Sequence, residues 1–175
     1  MSQSNSRTAQ ILAADAECLA AIAELAGVIW RACYPGIISS AQIEYMLSRM
    51  YAPDVLREEV RTQGISFYRL VLDARLSGFA SIGPTVTDGI FKLHKLYLLP
   101  ELHGQGFGSL LLEHCATEAQ RHGARELILA VNKRNARAIA AYQRNGFVVK
   151  ESIVTEIGGG FVMDDFIMGR ELTVD

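Results

Sequence analysis

Apolar residues recur at Leu19, Ile22, Ala23, Ala26 and Trp30, the three-and-four spacing that lays one stripe of an α-helix against a core. Asp15 stands where an N-cap is needed and Tyr34-Pro35-Gly36 breaks the pattern, so this helix is expected between them. A second helix starts at Ser39, with Gln42 as its capping-box partner, and runs through Ile43, Met46 and Leu47. Pro53 opens a third, with Asp54, Glu58 and Glu59 in its early turns. Ahead of these helices Thr8 to Ala14 predicts a short strand, and Met1 to Arg7 is polar enough to fray into a flexible N-terminus.

Past Gly64 the periodicity shortens to that of strands. Ile65 to Leu72 and Leu76 to Ile82 are two such runs joined by a turn at Asp73 to Arg75, and Gly83-Pro84 closes the second. A loop holding Asp88-Gly89 leads to a strand over Ile90 to Leu99, then to a turn carrying Gly104, Gly106 and Gly108, then to a helix opening near Phe107. That helix is expected to bury Leu110, Leu111, Cys115 and Ala119 and to stop at His122-Gly123. Leu127 to Val131 reads as a strand, Asn135 to Arg144 as a short helix stopped by Asn145-Gly146, and Phe147 to Ile157 as a strand. A flexible Gly158-Gly159-Gly160 and a last extended piece, Phe161 to Met168, follow. Helices, an antiparallel run of strands, then alternating strands and helices imply an α+β (mixed α/β) sheet with helices on both faces, as a single domain over residues 8–175.

The glycine turn is the stretch with chemistry in it. Glycines let backbone come close to a ligand, and the first turn of a helix leaves N–H groups unpaired with a partial positive charge. Strand, glycine turn and helix start together suit a phosphate or pyrophosphate, although a tight strand-to-helix turn needs no more than the same residues.

Composition narrows the field. Half of the 175 residues are apolar and the net charge is −2, which fits an ordinary globular protein and lacks the basic excess of a nucleic-acid binder. Three widely spaced cysteines, Cys18, Cys33 and Cys115, fit a reducing compartment. No metal-ligand spacing joins them to His94, His103, His114 or His122, so no metal site is expected. Asp15, Glu17 and Glu24 interrupt the apolar N-terminal run and rule against a signal peptide or membrane span, leaving the cytoplasm as the expected location.

Among nucleotide cradles, a Walker A loop requires Gly-Lys-Ser/Thr, which is absent, and a dinucleotide fingerprint fails at Ser109 or Leu111. The stretch from Leu96 to Gly108 instead resembles the central motif of the GNAT acetyltransferases, Gln/Arg-x-x-Gly-x-Gly/Ala between a strand and a helix, with His103 where Gln or Arg is usual. Asn135, Ala138, Tyr142, Gly146 and Phe147 match a second motif of that family. Tyr34 to Leu47 and Gly158 to Met168 are most similar to its PaiA-like polyamine acetyltransferases.

The resemblance implies the GNAT acyl-CoA N-acyltransferase fold, with a twisted, mostly antiparallel sheet, and an enzyme moving the acetyl group of acetyl-CoA to a primary amine in a ternary complex. It implies that the backbone of Leu96, Tyr97 and Leu98 aligns with pantetheine like an added strand, one N–H polarising the thioester carbonyl. His103, Gly104, Gln105, Gly106, Phe107 and Gly108 would receive the pyrophosphate, His103 also being readable as an exposed turn residue. Asn135 would bind the pantetheine arm, act as a helix N-cap, or do both. Tyr142 would be the general acid, since a phenol of ordinary pKa about 10 stays protonated at neutral pH.

The base is open. Many relatives carry Glu within a Leu-Glu-Val strand, and here Ala130 stands there, so His94 and a water chain are the candidates. On the acceptor side, the implied residues are Tyr34, Asp164 and Asp165, the two carboxylates equally readable as a solvated turn. Lys133, Arg134 and Arg137 fit a solvated helix start or a phosphate contact. A polyamine is the first expectation for the acceptor, with an amino acid, an aminoglycoside or a protein N-terminus as alternatives. A catalytically silent acyl-CoA sensor and a homodimer also stay open.

Overall fold

The first three helices begin where the chain supplies an acceptor or an imino acid. In the computed structural model, which describes residues 8–173, Asp15 Oδ1 accepts the N–H groups of Glu17 and Cys18 ahead of α1 (Cys18–Cys33). Ser39 Oγ accepts Gln42 N–H to start α2 (Ser40–Met50), and Pro53 opens α3 (Pro53–Gln63), which Gly64 ends at φ +65°. The Gln42 side chain departs from the capping-box expectation. It reaches Val162 O at 2.7 Å, a contact 120 residues away. The expectation for Met1 to Arg7 lies outside the described residues.

Seven strands form one sheet: β1 (Ala9–Ala13), β2 (Ser66–Leu72), β3 (Arg75–Pro84), β4 (Ile90–Leu98), β5 (Glu126–Asn132), β6 (Val148–Gly158) and β7 (Phe161–Glu171). Their order is β1-β2-β3-β4-β5-β7-β6, and every neighbouring pair is antiparallel except β4 with β5. This is the expected mixed, mostly antiparallel sheet. A 3-10 turn, Pro100–Leu102, follows β4, and α4 (Phe107–Arg121) and α5 (Ala136–Arg144) complete the chain.

Alternation along the strands sorts the helices onto two faces. Lys95 and Tyr97 of β4 meet Glu59 of α3 and Trp30 of α1. The next residue, Leu98, points to the other face and lies against Gly108 of α4. Arg170 then ties α5 to α4, bonding both Asn145 O after α5 and the Glu113 carboxylate. Between sheet and helices lies a core that includes Ile22, Trp30, Leu56, Phe79, Leu111, Leu127 and Phe147.

Two local expectations change. Leu110 is 48% exposed, while Leu111, Cys115 and Ala119 are buried as expected and Leu112 and Ala116 widen the same apolar stripe on its other side. The triple glycine is a clasped β-hairpin turn, not a loose linker. Its residues hold φ between +64° and +89°, Tyr45 Oη donates to Ile157 O at 2.8 Å, and a Cβ at Gly158 would stand 2.5 Å from that phenol oxygen. Glycine is required there to admit the tyrosine.

Candidate active site

β4 and β5 pair over only four positions, ending at Leu93 with Leu129. Each strand then runs on, β4 to Leu98 and β5 to Asn132, with no partner between them, so a seam opens in the middle of the sheet. The ladder with β3 decides which groups face it. Leu99 N–H donates to Ser77 O at 3.0 Å, and antiparallel pairs alternate between bonded and non-bonded. Leu96 and Leu98 therefore turn their peptide groups into the seam, while those of Tyr97 are spent on Phe79 across the ladder.

The upstream end of this segment is set by a bulge. Ser81 pairs with Lys95 and Ile82 with Leu93, leaving His94 as the extra residue. His94 is half-buried, with Nε2 unpartnered among the described residues and lying 3.5 Å from where a Gly83 Cβ would be. Burial first, then Lys92 and Lys95, lower its pKa to about 4. At neutral pH it is an uncharged and weakly basic imidazole.

At the downstream end the chain makes the glycine turn. Gly104 and Gly106 hold φ of +76° and +87° with open space around them, and Gly106 is the N-cap of α4 with no side-chain cap. The first amides of α4, from Phe107, Gly108 and Ser109, point out unpaired beneath that opening. Gln105 faces elsewhere, its Nε2 donating to Glu101 O at 2.6 Å.

His103 braces the turn. Its Nε2 lies 3.1 Å from Leu98 O, and since a carbonyl only accepts, Nε2 carries the proton and Nδ1 keeps its lone pair. Burial, then the Arg137 guanidinium, hold its pKa below the ordinary value. His103 is thus neutral at pH 7, and the cation at this spot is Arg137. A cleft of about 520 Å³ opens here, bounded by Cys33, by Pro35 to Ile37, by His103, and by Arg134 to Arg137. Arg134 Nη2 spans it to Gly36 O at 3.0 Å.

α5 delivers Tyr142. Asn135 is its N-cap, Oδ1 accepting Ala138 N–H at 3.2 Å. Gly146, at φ +83°, ends the helix, and Phe147 drops into the core at 1% exposure with its ring 5.8 Å from that of Tyr142. Burial, then the Cys115 thiol, push the Tyr142 phenol up to about 12. It keeps its proton across the working range of most enzymes.

Opposite stands a wall the sequence did not reveal. Tyr34 stacks on Trp30 at 4.2 Å, and Tyr51 Oη donates to Tyr97 Oη at 3.0 Å. The Tyr34 phenol is raised by burial and then by Tyr97, Tyr142 and Asp165, which lie within electrostatic reach of it. Below them Lys95 and Glu59 form a buried ion pair at 2.7 Å, with Lys95 over the Tyr51 ring. Trp30 lies on the apolar stripe of α1 and Tyr51 is the C-cap of α2, places where sequence offers no way to tell a pocket wall from core.

The acidic pair divides. Asp164 is exposed and ion-paired with Lys133. Asp165 is 4% exposed, and its carboxyl has no hydrogen bond or ion pair among the described residues. Burial, then Asp164, raise its pKa.

A family profile for acetyltransferases, the GNAT family, matches residues 28–147. The chain belongs to the GNAT acetyltransferase family. It is 30% identical over 152 residues to the spermidine N(1)-acetyltransferase of Thermoplasma acidophilum, covering 85% of this chain and 91% of that protein. It is 34% identical over 82 residues to the streptothricin acetyltransferase of Streptomyces lavendulae, covering 47% and 43%. Among solved structures, the PaiA N-acetyltransferase of Thermoplasma acidophilum in complex with coenzyme A superposes with a TM-score of 0.79 at 28% identity, over 94% of this chain and 99% of that one.

This GNAT chain is an N-acetyltransferase and uses acetyl-CoA. Its residues fit that molecule on their own account. Glycines with open space sit above unpaired helix amides, which suits a diphosphate. The seam exposes the peptide groups of Leu96 and Leu98, which suits an extended amide-bearing arm. Among the described residues no group of His, Cys, Asp or Glu is arranged to hold a metal ion, and no helix is long and apolar enough to cross a membrane.

Proposed function

We propose that this enzyme acetylates a primary amine of a small polycationic acceptor, a polyamine in the first instance, by direct transfer within a ternary complex. The observation that carries the choice of acceptor is Asp165, a buried carboxyl without a partner, within electrostatic reach of Tyr34 in the aromatic wall that Tyr34 forms with Trp30 and Tyr97. A cation there meets both a negative charge and π faces. Similarity to a spermidine N(1)-acetyltransferase over most of both chains supports the same reading. Three free thiols favour a reducing compartment, and on that ground we place the protein in the cytoplasm.

Bound acetyl-CoA supplies the acetyl group in activated thioester form. The amides of the glycine turn and of Phe107, Gly108 and Ser109 hold its diphosphate, and Arg137 adds positive charge that the neutral His103 lacks. Leu96 presents its N–H and carbonyl along the seam and Leu98 its N–H, the Leu98 carbonyl being held by His103; the Leu98 N–H, turned away from β3 by the ladder's alternation, is free to stabilise developing negative charge. The Asn135 amide nitrogen stays available after its oxygen has capped α5. Tyr142 holds a proton at Oη and gives it to the departing sulfur. His94, buried and weakly basic, is a poor fit to the role of base.

Release of free thiol from acetyl-CoA in the presence of spermidine, putrescine, amino acids, an aminoglycoside and a peptide with a free N-terminus tests this reading. The highest kcat/KM is expected with the polyamines. A higher value with a peptide or an amino acid would overturn the polyamine assignment. Thermal stabilisation by acetyl-CoA without turnover on any amine would leave only a carrier-sensing role.

A further inference from the structure

Burying a carboxylate without a partner is among the most unfavourable arrangements a protein can hold. Asp165 comes close to that arrangement: the residue is 4% exposed, its carboxyl oxygens reach only a sliver of solvent, and neither a hydrogen bond nor an ion pair holds them among the described residues. On β7 it pairs across to Asn132 of β5 and Ile153 of β6. Ala130 pairs with Ile167, two residues along each strand, so Ala130 and Asp165 share a face and lie diagonally at roughly 7–8 Å. The methyl group of Ala130 offers the carboxyl nothing to pair with. The Tyr34 phenol, on the loop after α1, lies within electrostatic reach of both Asp165 and Tyr142.

We propose that Asp165 binds the acceptor's ammonium and is the base that takes its proton, a deepening that rests on the acetyltransferase reading above. The N–H bond of the ammonium breaks, an O–H bond forms on Asp165, and the proton leaves to water when the site opens. A second proton lost by the nitrogen restores the one Tyr142 has given to sulfur.

Electrostatics around the group agree with the role. The charged and titratable groups within electrostatic reach of Asp165 are Asp164 on its own strand, Lys92 from β4, Lys133 from the end of β5 and Tyr34 from the loop after α1, while β6 places Ile153 opposite it and the exposed Glu151 diagonally on the same face. Lys133 is engaged by Asp164. Burial and Asp164 outweigh the two lysines and raise the carboxyl above its ordinary 3.8, which strengthens it as a base.

Asp165→Asn keeps the shape and removes both the charge and the proton acceptor. With spermidine as probe, kcat/KM is expected to fall by roughly 10²-fold or more. The limb of the wild-type pH profile that rises through the titration of Asp165 should vanish. Coenzyme A affinity by calorimetry should be unchanged, and the ligand-free variant should melt no lower than wild type at pH 8, because an unpaired buried charge has gone. A carboxyl serving only the fold would give the opposite melting result. Retention of kcat/KM within about threefold with the same limb would overturn the inference and leave the acetyltransferase reading standing. Failure of the wild type to acetylate any amine takes both down. Should the variant not bind coenzyme A, carbon-13 NMR of the wild-type Asp165 carboxyl decides. Its titration is expected to move to lower pH on adding spermidine, and an unmoved titration overturns the assignment.

Discussion

His94→Gln separates a residue of the fold from a residue of the chemistry. The His94 imidazole has a pKa lowered from 6.5 to about 4, so the folded protein resists protonating a side chain that the unfolded chain protonates freely. The sign follows from proton binding. Between pH 6.5 and 4 the unfolded state binds more protons, and stability falls as pH falls; above 6.5 His94 imposes no cost, and below 4 the cost is complete. A difference of about 2.5 pH units at 1.36 kcal/mol each is on the order of 3 kcal/mol in full, and about 1.4 kcal/mol at pH 5.5. Urea unfolding followed by fluorescence of the single tryptophan, Trp30, which is 3% exposed, reads this directly. His103 and His114 are also lowered by burial but remain in the variant and cancel in the difference. The variant should lose less stability than wild type between pH 7.5 and 4.5, with turnover at pH 7.5 nearly unchanged. Parallel pH dependences would refute the burial argument, and a loss of turnover of roughly 10²-fold would return His94 to the reaction as its base.

Tyr142→Phe should lower kcat by roughly 10²-fold or more with coenzyme affinity retained, because ring packing against Phe147 survives while the proton donor is lost; steady-state kinetics and calorimetry together check it. Glu59→Ala strands Lys95, whose side chain is 6% exposed, and should cost about 3–5 kcal/mol in chemical unfolding at pH 7. Gly78→Ala places a Cβ 2.5 Å from Leu98 Cδ2 and 2.8 Å from the Tyr97 carbonyl oxygen; the carbonyl is part of the ladder, so about 1–3 kcal/mol of destabilisation is expected from the same measurement.

Local signals in the sequence carried the elements well, since caps, breakers and periodicity act over a few residues. Ser39, Pro53 and Gly64 do what their chemistry predicts. The glycine turn and the segment ending in Asn145-Gly146-Phe147 were also legible, because each encodes a backbone shape. Groups whose meaning depends on distant neighbours were not. Gln42 looks like a capping partner until β7 offers it a carbonyl. The triple glycine looks loose until Tyr45 is laid across it. Nothing in Asp164-Asp165 says which residue faces solvent, because that follows from strand register against β5 and β6. Trp30 and Tyr51 read as core for the same reason, since the wall they form with Tyr97 spans three elements.

The two halves of the sheet, β1 to β4 and β5 to β7, are stitched at four residue pairs and then part. On the proposed binding mode, a carrier lying between the free lengths would add the strand that the polypeptide leaves out. Tightening that join with extra cross-strand contacts is then expected to yield a sturdier protein and a poorer catalyst, for the stability gained would come out of the space proposed for the carrier.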